Sequence, residues 1–170
     1  IGEAARLFEA IEELKQDPNV VYAEPDYIYA TVNDSIPDDS LYFQQWHIPA
    51  VQADTVWSMT TGDTTQIIGI LDTGVDWLHP DLASKIWINY AELNGVPGID
   101  DDHNGFIDDI RGWDFINSDN NPLDDNSHGT HVAGIAAAES NNGIGIAGMN
   151  WRAKIMPIKV FQSSGRGDAA

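Results

Sequence analysis

An apolar run that ends in a carboxylate, Ile67-Ile68-Gly69-Ile70-Leu71 followed by Asp72-Thr73-Gly74, constrains this chain more than any other stretch. An unbroken run of this kind suits a strand buried on both faces, as in parallel sheets covered by helices on each side. Val51 to Met59 reads as a short helix, and Thr60-Thr61-Gly62-Asp63 as the turn into the strand. A second helix is predicted to open near His128, with Asn126 or Ser127 as its N-cap. It continues through the small residues Ala133, Gly134, Ala136, Ala137 and Ala138, which permit close packing on a sheet. After the loop Asn141-Asn142-Gly143, the apolar segment Ala153 to Phe161 reads as another buried strand. Strand, helix, strand in that order implies parallel pairing with right-handed crossovers, so the expected fold is α/β, a layered parallel sheet with helices on both faces.

The N-terminal stretch has a different character. Ala4, Leu7, Phe8, Ile11 and Leu14 fall at helical spacing, with Glu3, Glu9, Glu12 and Glu13 on the other face, and Asp17-Pro18-Asn19 stops the pattern. Val20-Val21-Tyr22-Ala23 and Tyr27-Ile28-Tyr29-Ala30 read as extended segments. One helix and one or two strands do not enclose a core, so residues 1–34 are expected to be the remnant of a small α+β domain with its linker, and 35–170 the main domain. The chain starts at Ile1 inside an amphipathic pattern, so its true N-terminus, and any secretory signal, is expected upstream.

A formal charge of −19, from 27 acidic against 8 basic residues, repels phosphate backbones and anionic lipid. Nucleic acid and membrane surfaces are therefore not expected partners, and cations are. No apolar run is long enough to span a bilayer. The absence of cysteine excludes disulfides, thiolate metal sites and a cysteine nucleophile.

Two clusters carry chemistry. Asp72 stands at the carboxyl end of a predicted parallel strand, where α/β sheets build their sites, and His128 stands at a predicted helix start. The positive end of the helix dipole favours a neutral imidazole, and a facing carboxylate fixes its tautomer. His128 and His131 share a helical face and also form a candidate metal pair, although no Cys or Glu nearby completes a zinc pattern. The second cluster is Asp100-x-Asp102-x-Asn104-Gly105-Phe106-x-Asp108-Asp109, with oxygen donors at alternate positions and a glycine at the tight turn. This spacing matches a calcium loop of the EF-hand type, except that Arg111 stands where the bidentate Glu belongs. Asp109 is the candidate to compensate, flanking EF-hand helices are not implied, and hard oxygen donors favour calcium over zinc.

Asp72-Thr73-Gly74, His79-Pro80-Asp81-Leu82 and His128-Gly129-Thr130-His131-Val132-Ala133-Gly134, in that order, resemble the subtilisin-like serine proteases (subtilases, S8), in their thermitase-like form. The resemblance runs from Leu41 to the C-terminus. It implies a serine-type endopeptidase with Asp72 and His128 as two members of an Asp/His/Ser triad. It implies a second calcium site from Asp39, Asp81 and Asn142 with the carbonyls of Glu139, Ile144 and Ile146. Ser164-Gly165-Arg166-Gly167 resembles the edge strand on which an extended substrate is paired. Arg166-Gly167-Asp168 also spells an adhesion tripeptide and is assigned to that substrate rim. Leu14 to Tyr29 resembles the end of an inhibitor-type (I9) propeptide, cleaved between about Tyr29 and Asp38, that chaperones folding and blocks the cleft.

The family's nucleophilic serine and oxyanion asparagine lie downstream of Ala170, and Ser163 and Ser164 lack the required strand-to-helix setting. The 170 residues are thus expected to be an inactive, unstable or aggregating fragment of a secreted or extracellular, calcium-stabilised zymogen, monomeric and acting on proteins or peptides. The alternatives are a non-catalytic calcium-binding relative serving as a binding or adhesion module, and a metal-dependent hydrolase using His128 and His131.

Overall fold

The computed structural model describes residues 3–23 and 36–167, and the chain divides into two compact units, Ile1–Thr31 and Val32–Ala170. In the first unit, helix α1 spans Glu3–Leu14 and closes with Lys15 N donating to Ile11 O at 3.0 Å and Asp17 N to Leu14 O at 3.1 Å. Asp17 Oδ1 then accepts the Asn19 amide at 2.8 Å, and the turn ends the helix where Pro18 has no N–H to continue it. Ile11 is buried and Leu14 is 52% exposed. Among the described residues of this unit α1 is the only regular element, and Val20–Ala23, expected to be extended, lies in no strand. The extended segment expected at Tyr27–Ala30 and the linker residues Asn33–Ser35 lie outside the described residues.

The second unit contains α2 (His47–Ala50), α3 (Ala53–Trp57), β1 (Ile67–Asp72), α4 (Tyr90–Leu93), β2 (Trp113–Asp114), α5 (His128–Ala137) and β3 (Lys154–Lys159). The three strands form one sheet in the order β1-β3-β2, all parallel, as the strand–helix–strand pattern implies. Ile68 is level with Ile155, and Asp72 with Lys159. Ile86 makes an isolated parallel bridge to Ile155, and Trp87 N donates to Ile155 O at 2.7 Å.

α5 packs on β1 and β3 through Ala133 and Ala137, which are fully buried. Ile70, Val75, Leu82, Ile86, Ala153 and Ile155 complete that core. A second cluster of Ile48, Ala53, Trp57 and Ala147 lies under α2 and α3. Gln45 ties it down by donating to Ala147 O at 2.9 Å and accepting from Ala147 N at 2.8 Å, so one amide side chain satisfies both polar groups of a buried backbone unit.

β1 departs from the expectation of burial on both faces. Ile70 and Asp72 are buried, but the alternate residue Leu71 is 61% exposed and Ile67 47% exposed. β1 is an edge strand of this sheet, and α5 covers only one of its faces. The central strand β3 is more enclosed, with Ile155, Pro157 and Lys159 buried and the residues between them half-buried.

Because Ile155 is fully buried at the centre of the sheet, Ile155→Ala is expected to lower unfolding free energy by about 2–5 kcal/mol. Chemical denaturation of the two proteins measures it. A loss well below about 1 kcal/mol contradicts the described core.

Candidate functional site

Asp72 ends β1 and is 7% exposed. Its backbone oxygen accepts from Val160 N at 2.8 Å and Phe161 N at 3.1 Å, which pins the strand end to the residues after β3. His128 opens α5, and its Nδ1 lies 2.7 Å from Asp72 Oδ1 and 2.9 Å from Oδ2. A carboxylate only accepts, so the proton sits on Nδ1 and Nε2, on the far edge of the ring, carries the lone pair. The His128 side chain is 65% exposed, so that lone pair is open to a reacting group. A histidine held in this way can take a proton from a hydroxyl while the carboxylate stabilises the imidazolium that results.

The close approach of α5 to β1 depends on glycine. A Cβ on Gly129 would stand 2.1 Å from Gly74 O and 3.0 Å from Asp72 Cβ. Gly74 itself has φ +104, and a Cβ there would meet Pro122 O at 2.6 Å. A side chain at Gly129 would push the start of α5 away from the end of β1, and one at Gly74 would displace the loop at Pro122–Asp124.

Neither residue expected to cap α5 does so. Ser127 is in the left-handed region at φ 79 with no side-chain cap bond, and Asn126 Nδ2 instead donates to Ser163 O at 2.7 Å. An N-cap side chain reaches the helix amides from extended backbone, which Ser127 lacks. Asp124 and Thr73 take over. Asp124 Oδ2 accepts Thr130 N at 2.9 Å and the Thr130 hydroxyl at 2.5 Å, and its Oδ1 accepts Thr73 Oγ1 at 2.8 Å, Asn126 N at 2.9 Å and Ser127 N at 3.0 Å. Thr73 Oγ1 accepts Gly129 N at 3.0 Å. Burial opposes ionisation of Asp124, but the donors on Thr130, Asn126 and Thr73 outweigh it and hold its carboxyl down at about 2. Lys159, 2% exposed, fastens the same loop to the strand end by donating to Thr73 O at 2.7 Å, Leu123 O at 3.3 Å and Asp125 Oδ1 at 2.6 Å. Sequence reasoning missed Asp124; an acidic residue four positions before the helix start was the available signal.

Asp39, Asp81 and Asn142 come together from three separate segments. Asp81 accepts Asn142 Nδ2 at 2.7 Å and Ile146 N at 2.9 Å, while its backbone oxygen accepts Glu139 N at 2.9 Å. The 139–146 segment, whose Glu139, Ile144 and Ile146 carbonyls belong to the candidate set, thus wraps around Asp81. Asp39 is 3% exposed; its Oδ2 accepts Asn141 N at 2.9 Å, and its Oδ1 is buried without a hydrogen-bond partner. Burial pushes the Asp39 carboxyl up against the pull of the Asn141 amide, and Asp81 and Asp38 push it further. An orphaned buried carboxylate oxygen beside further carboxylates is costly without a countercharge, and the all-oxygen donor set is of the kind that calcium takes.

In the acidic loop, carboxylate oxygens of Glu92, Asp102 and Asp109 lie within 4.8 Å of one another; among the described residues they are the one group of three acidic or metal-ligating side chains that converges so closely. Glu92 was missed in the sequence because it sits on α4, outside the loop. Its Oε1 accepts Asp101 N and Asp102 N at 2.8 and 3.1 Å, and its Oε2 accepts Asp108 N at 2.8 Å. Asp109 is buried, and burial pushes its carboxyl up against hydrogen bonds from Asn89 and Asn104. Asn104 Nδ2 joins Asp102 and Asp109, and Asn104 Oδ1 accepts Phe106 N at 2.7 Å. Asp100 instead accepts Asn104 N and Gly105 N, and Asp108 accepts Gly98 N, so these two carboxylates shape the turn.

Ser164-Gly165-Arg166-Gly167 does not form the expected edge strand in this structure. Gln162 N donates to Arg166 O and Gly165 N to Gln162 O, both at 2.8 Å, which closes an exposed turn. Those backbone groups bond within the turn, where a strand would present them to a neighbour. His131 lines a groove of about 330 Å³ with His79, Asp81 and Leu82, while His128 engages Asp72, so the two histidines meet different surroundings.

Asp124 is held at about 2, below the ordinary 3.8, so its contribution is present above about pH 4 and is lost as pH falls toward 2. Partial exposure limits that contribution to about 2 kcal/mol. Unfolding free energies of the protein and its Asp124→Asn variant are expected to differ at neutral pH and to converge on acidification. A gap that stays constant down to pH 2 contradicts this electrostatic account.

The profile of the subtilase family matches residues 63–170. Thermophilic serine proteinase of Bacillus sp. (strain AK1) is 37% identical over 158 residues, covering 92% of this chain and 33% of that protein. Thermitase of Thermoactinomyces vulgaris is 36% identical over 132 residues, covering 77% of this chain and 39% of that protein. Subtilisin-like protease 1 of Plasmodium berghei (strain Anka) is 42% identical over 119 residues, 69% of this chain and 20% of that protein. A solved structure of proteases from Pseudoalteromonas arctica PAMC 21717 superposes with a TM-score of 0.54 at 30% identity, over 77% of this chain and 40% of that one. The chain therefore spans between a fifth and two fifths of the length of these relatives. The family profile covers more than half of the chain, the relatives extend the match, and the parallel α/β layers agree with it: this chain belongs to the subtilase family.

Proposed function

We propose that the protein is a serine-type endopeptidase and that this chain carries the aspartate and histidine of its Asp/His/Ser triad. The observation that carries the reading is the Asp72–His128 pair, a buried carboxylate holding Nδ1–H at 2.7 Å while the ring stays 65% exposed. His128 Nε2 takes the proton of a serine hydroxyl as it attacks the scissile carbonyl, and returns it to the leaving amine. Asp72 keeps the tautomer and stabilises the imidazolium. The reading requires a serine and an oxyanion donor from residues other than those described, since among the described residues no serine hydroxyl hydrogen-bonds the ring. Substrates are proteins or peptides, with Ser164–Gly167 at the rim of the cleft.

Calcium is the proposed structural ion at both acidic sites. Asp39, Asp81 and Asn142, with carbonyls of Glu139, Ile144 and Ile146, would hold one ion, and the orphaned Asp39 Oδ1 supports that assignment. Asp100, Asp102, Asn104, Phe106, Asp108 and Asp109 form the candidate set of the other, to which the convergence with Asp102 and Asp109 adds Glu92. Bound there, calcium supplies charge neutralisation and cross-links segments distant in sequence. Sites of this kind are readily filled outside the cell, which fits a secreted or extracellular monomer. Residues 1–34 are read as the end of a propeptide that inhibits the enzyme intramolecularly, and 35–170 as the start of the catalytic domain. Among the described residues no helix is long and apolar enough to cross a membrane.

In the protein expressed from its complete coding sequence, His128→Ala and Asp72→Asn are each expected to lower kcat on a peptide substrate by about a hundredfold or more. Unchanged turnover in His128→Ala removes the reading. Calcium at a hundredfold excess over Kd is expected to add about 2.7 kcal/mol to stability, read as a rise in Tm over the chelated protein. Asp39→Asn should shrink that rise, and a Tm indifferent to calcium contradicts the ion assignment.

A further inference from the structure

The Asp124 carboxylate belongs to neither acidic site and does not touch the His128 ring. We propose that it is a positioning residue, one that sets the direction of two threonine hydroxyls and thereby holds the His128 helix against the strand end that carries Asp72. The proposal rests on the reading of Asp72 and His128 as the acid–base pair.

Hydrogen-bond polarity dictates the arrangement. An ionised carboxylate offers acceptors only, so the hydroxyl protons of Thr73 and Thr130, at 2.8 and 2.5 Å, both point to Asp124. Each hydroxyl then has only lone pairs left for its second partner. Thr73 Oγ1 accepts Gly129 N at 3.0 Å, and Thr130 Oγ1 accepts Asp76 N at 2.9 Å. Thr73 follows Asp72 directly and Gly129 follows His128 directly. The neighbours of the two reacting groups are therefore joined through a hydroxyl whose orientation Asp124 determines. The second hydroxyl makes the converse link, from α5 back to the segment after β1. Asp124 also accepts Thr130 N, Asn126 N and Ser127 N, so the left-handed turn that delivers His128 folds around the same carboxylate. The cross-link matters because the fit is tight: with Gly129 already against Gly74 O, the helix start has few positions that keep Nδ1 within reach of both Asp72 oxygens.

Substitutions separate this role from bulk stability. Asp124→Asn keeps the shape, but its NH2 must face hydroxyl or amide donors in either amide orientation. Thr73→Val keeps the shape and loses the relay, whereas Thr73→Ser keeps the hydroxyl. The experiment measures kcat and KM on a peptide substrate, together with the low-field Nδ1 proton resonance of His128, in the protein expressed from its complete coding sequence. Asp124→Asn and Thr73→Val are expected to lower kcat by about a hundredfold with KM little changed, and to shift or broaden the resonance. Thr73→Ser should restore both. If Asp124→Asn does not fold, the Thr73 pair decides. Parental kcat and an unmoved resonance in Thr73→Val overturn the proposal, as does a loss in which Thr73→Ser and Thr73→Val are equal and track Tm alone. If the parent hydrolyses no peptide, the proteolytic reading fails by itself, and the resonance still decides whether Asp124 positions His128.

Discussion

The parallel register of β1 on β3 is the constraint on which the rest depends. It sets Asp72 level with Lys159 at the carboxyl end of the sheet, so a buried acceptor and a buried cation leave the sheet side by side. Lys159 reaches the loop before α5 through Leu123 O and Asp125, and Asp124 on that loop reaches the start of α5. A slip of one residue would turn Asp72 to the exposed face of β1 and take Thr73 O away from the buried Lys159. Register, loop and helix start thus specify one another.

The frame of the fold was legible because apolar runs report burial directly. Ile67–Leu71, the small residues of α5 and Ala153–Phe161 each became the element they predicted. Exposure of Leu71 was not legible, since a run of apolar residues says that both faces of a strand are sticky and not which elements cover them. The Asp72–His128 pair was readable from motif and position. Its support was not: capping by Asp124 depends on the left-handed backbone of Ser127, a conformation that sequence preference assigns to glycine or asparagine. Glu92 was hidden for a different reason, because it joins the acidic loop through amides of Asp101, Asp102 and Asp108 that only the folded turn brings to α4.

Charge gives the molecule a second theme. Asp39 and Asp109 are buried with their carboxyls pushed up, whereas Asp124 is half-buried with its carboxyl pushed down. The difference lies in what faces them. Asp124 is surrounded by N–H and O–H donors that favour the anion. Asp39 and Asp109 accept fewer hydrogen bonds and have carboxylates beside them, Asp81 and Asp38 for one and Asp102 and Glu92 for the other, and the proposed calcium would supply the countercharge. Asp124 thus serves as a hydrogen-bond hub, whereas Asp39 and Asp109 are the proposed ion ligands.

The central claim is that His128, held by Asp72, activates a serine. The most direct measurement is covalent labelling of the protein expressed from its complete coding sequence with a fluorophosphonate, followed by peptide mapping of the modified residue. The account predicts a single labelled serine, modified rapidly in the parent and far more slowly in His128→Ala. No labelled serine, or labelling at the same rate without His128, would contradict it.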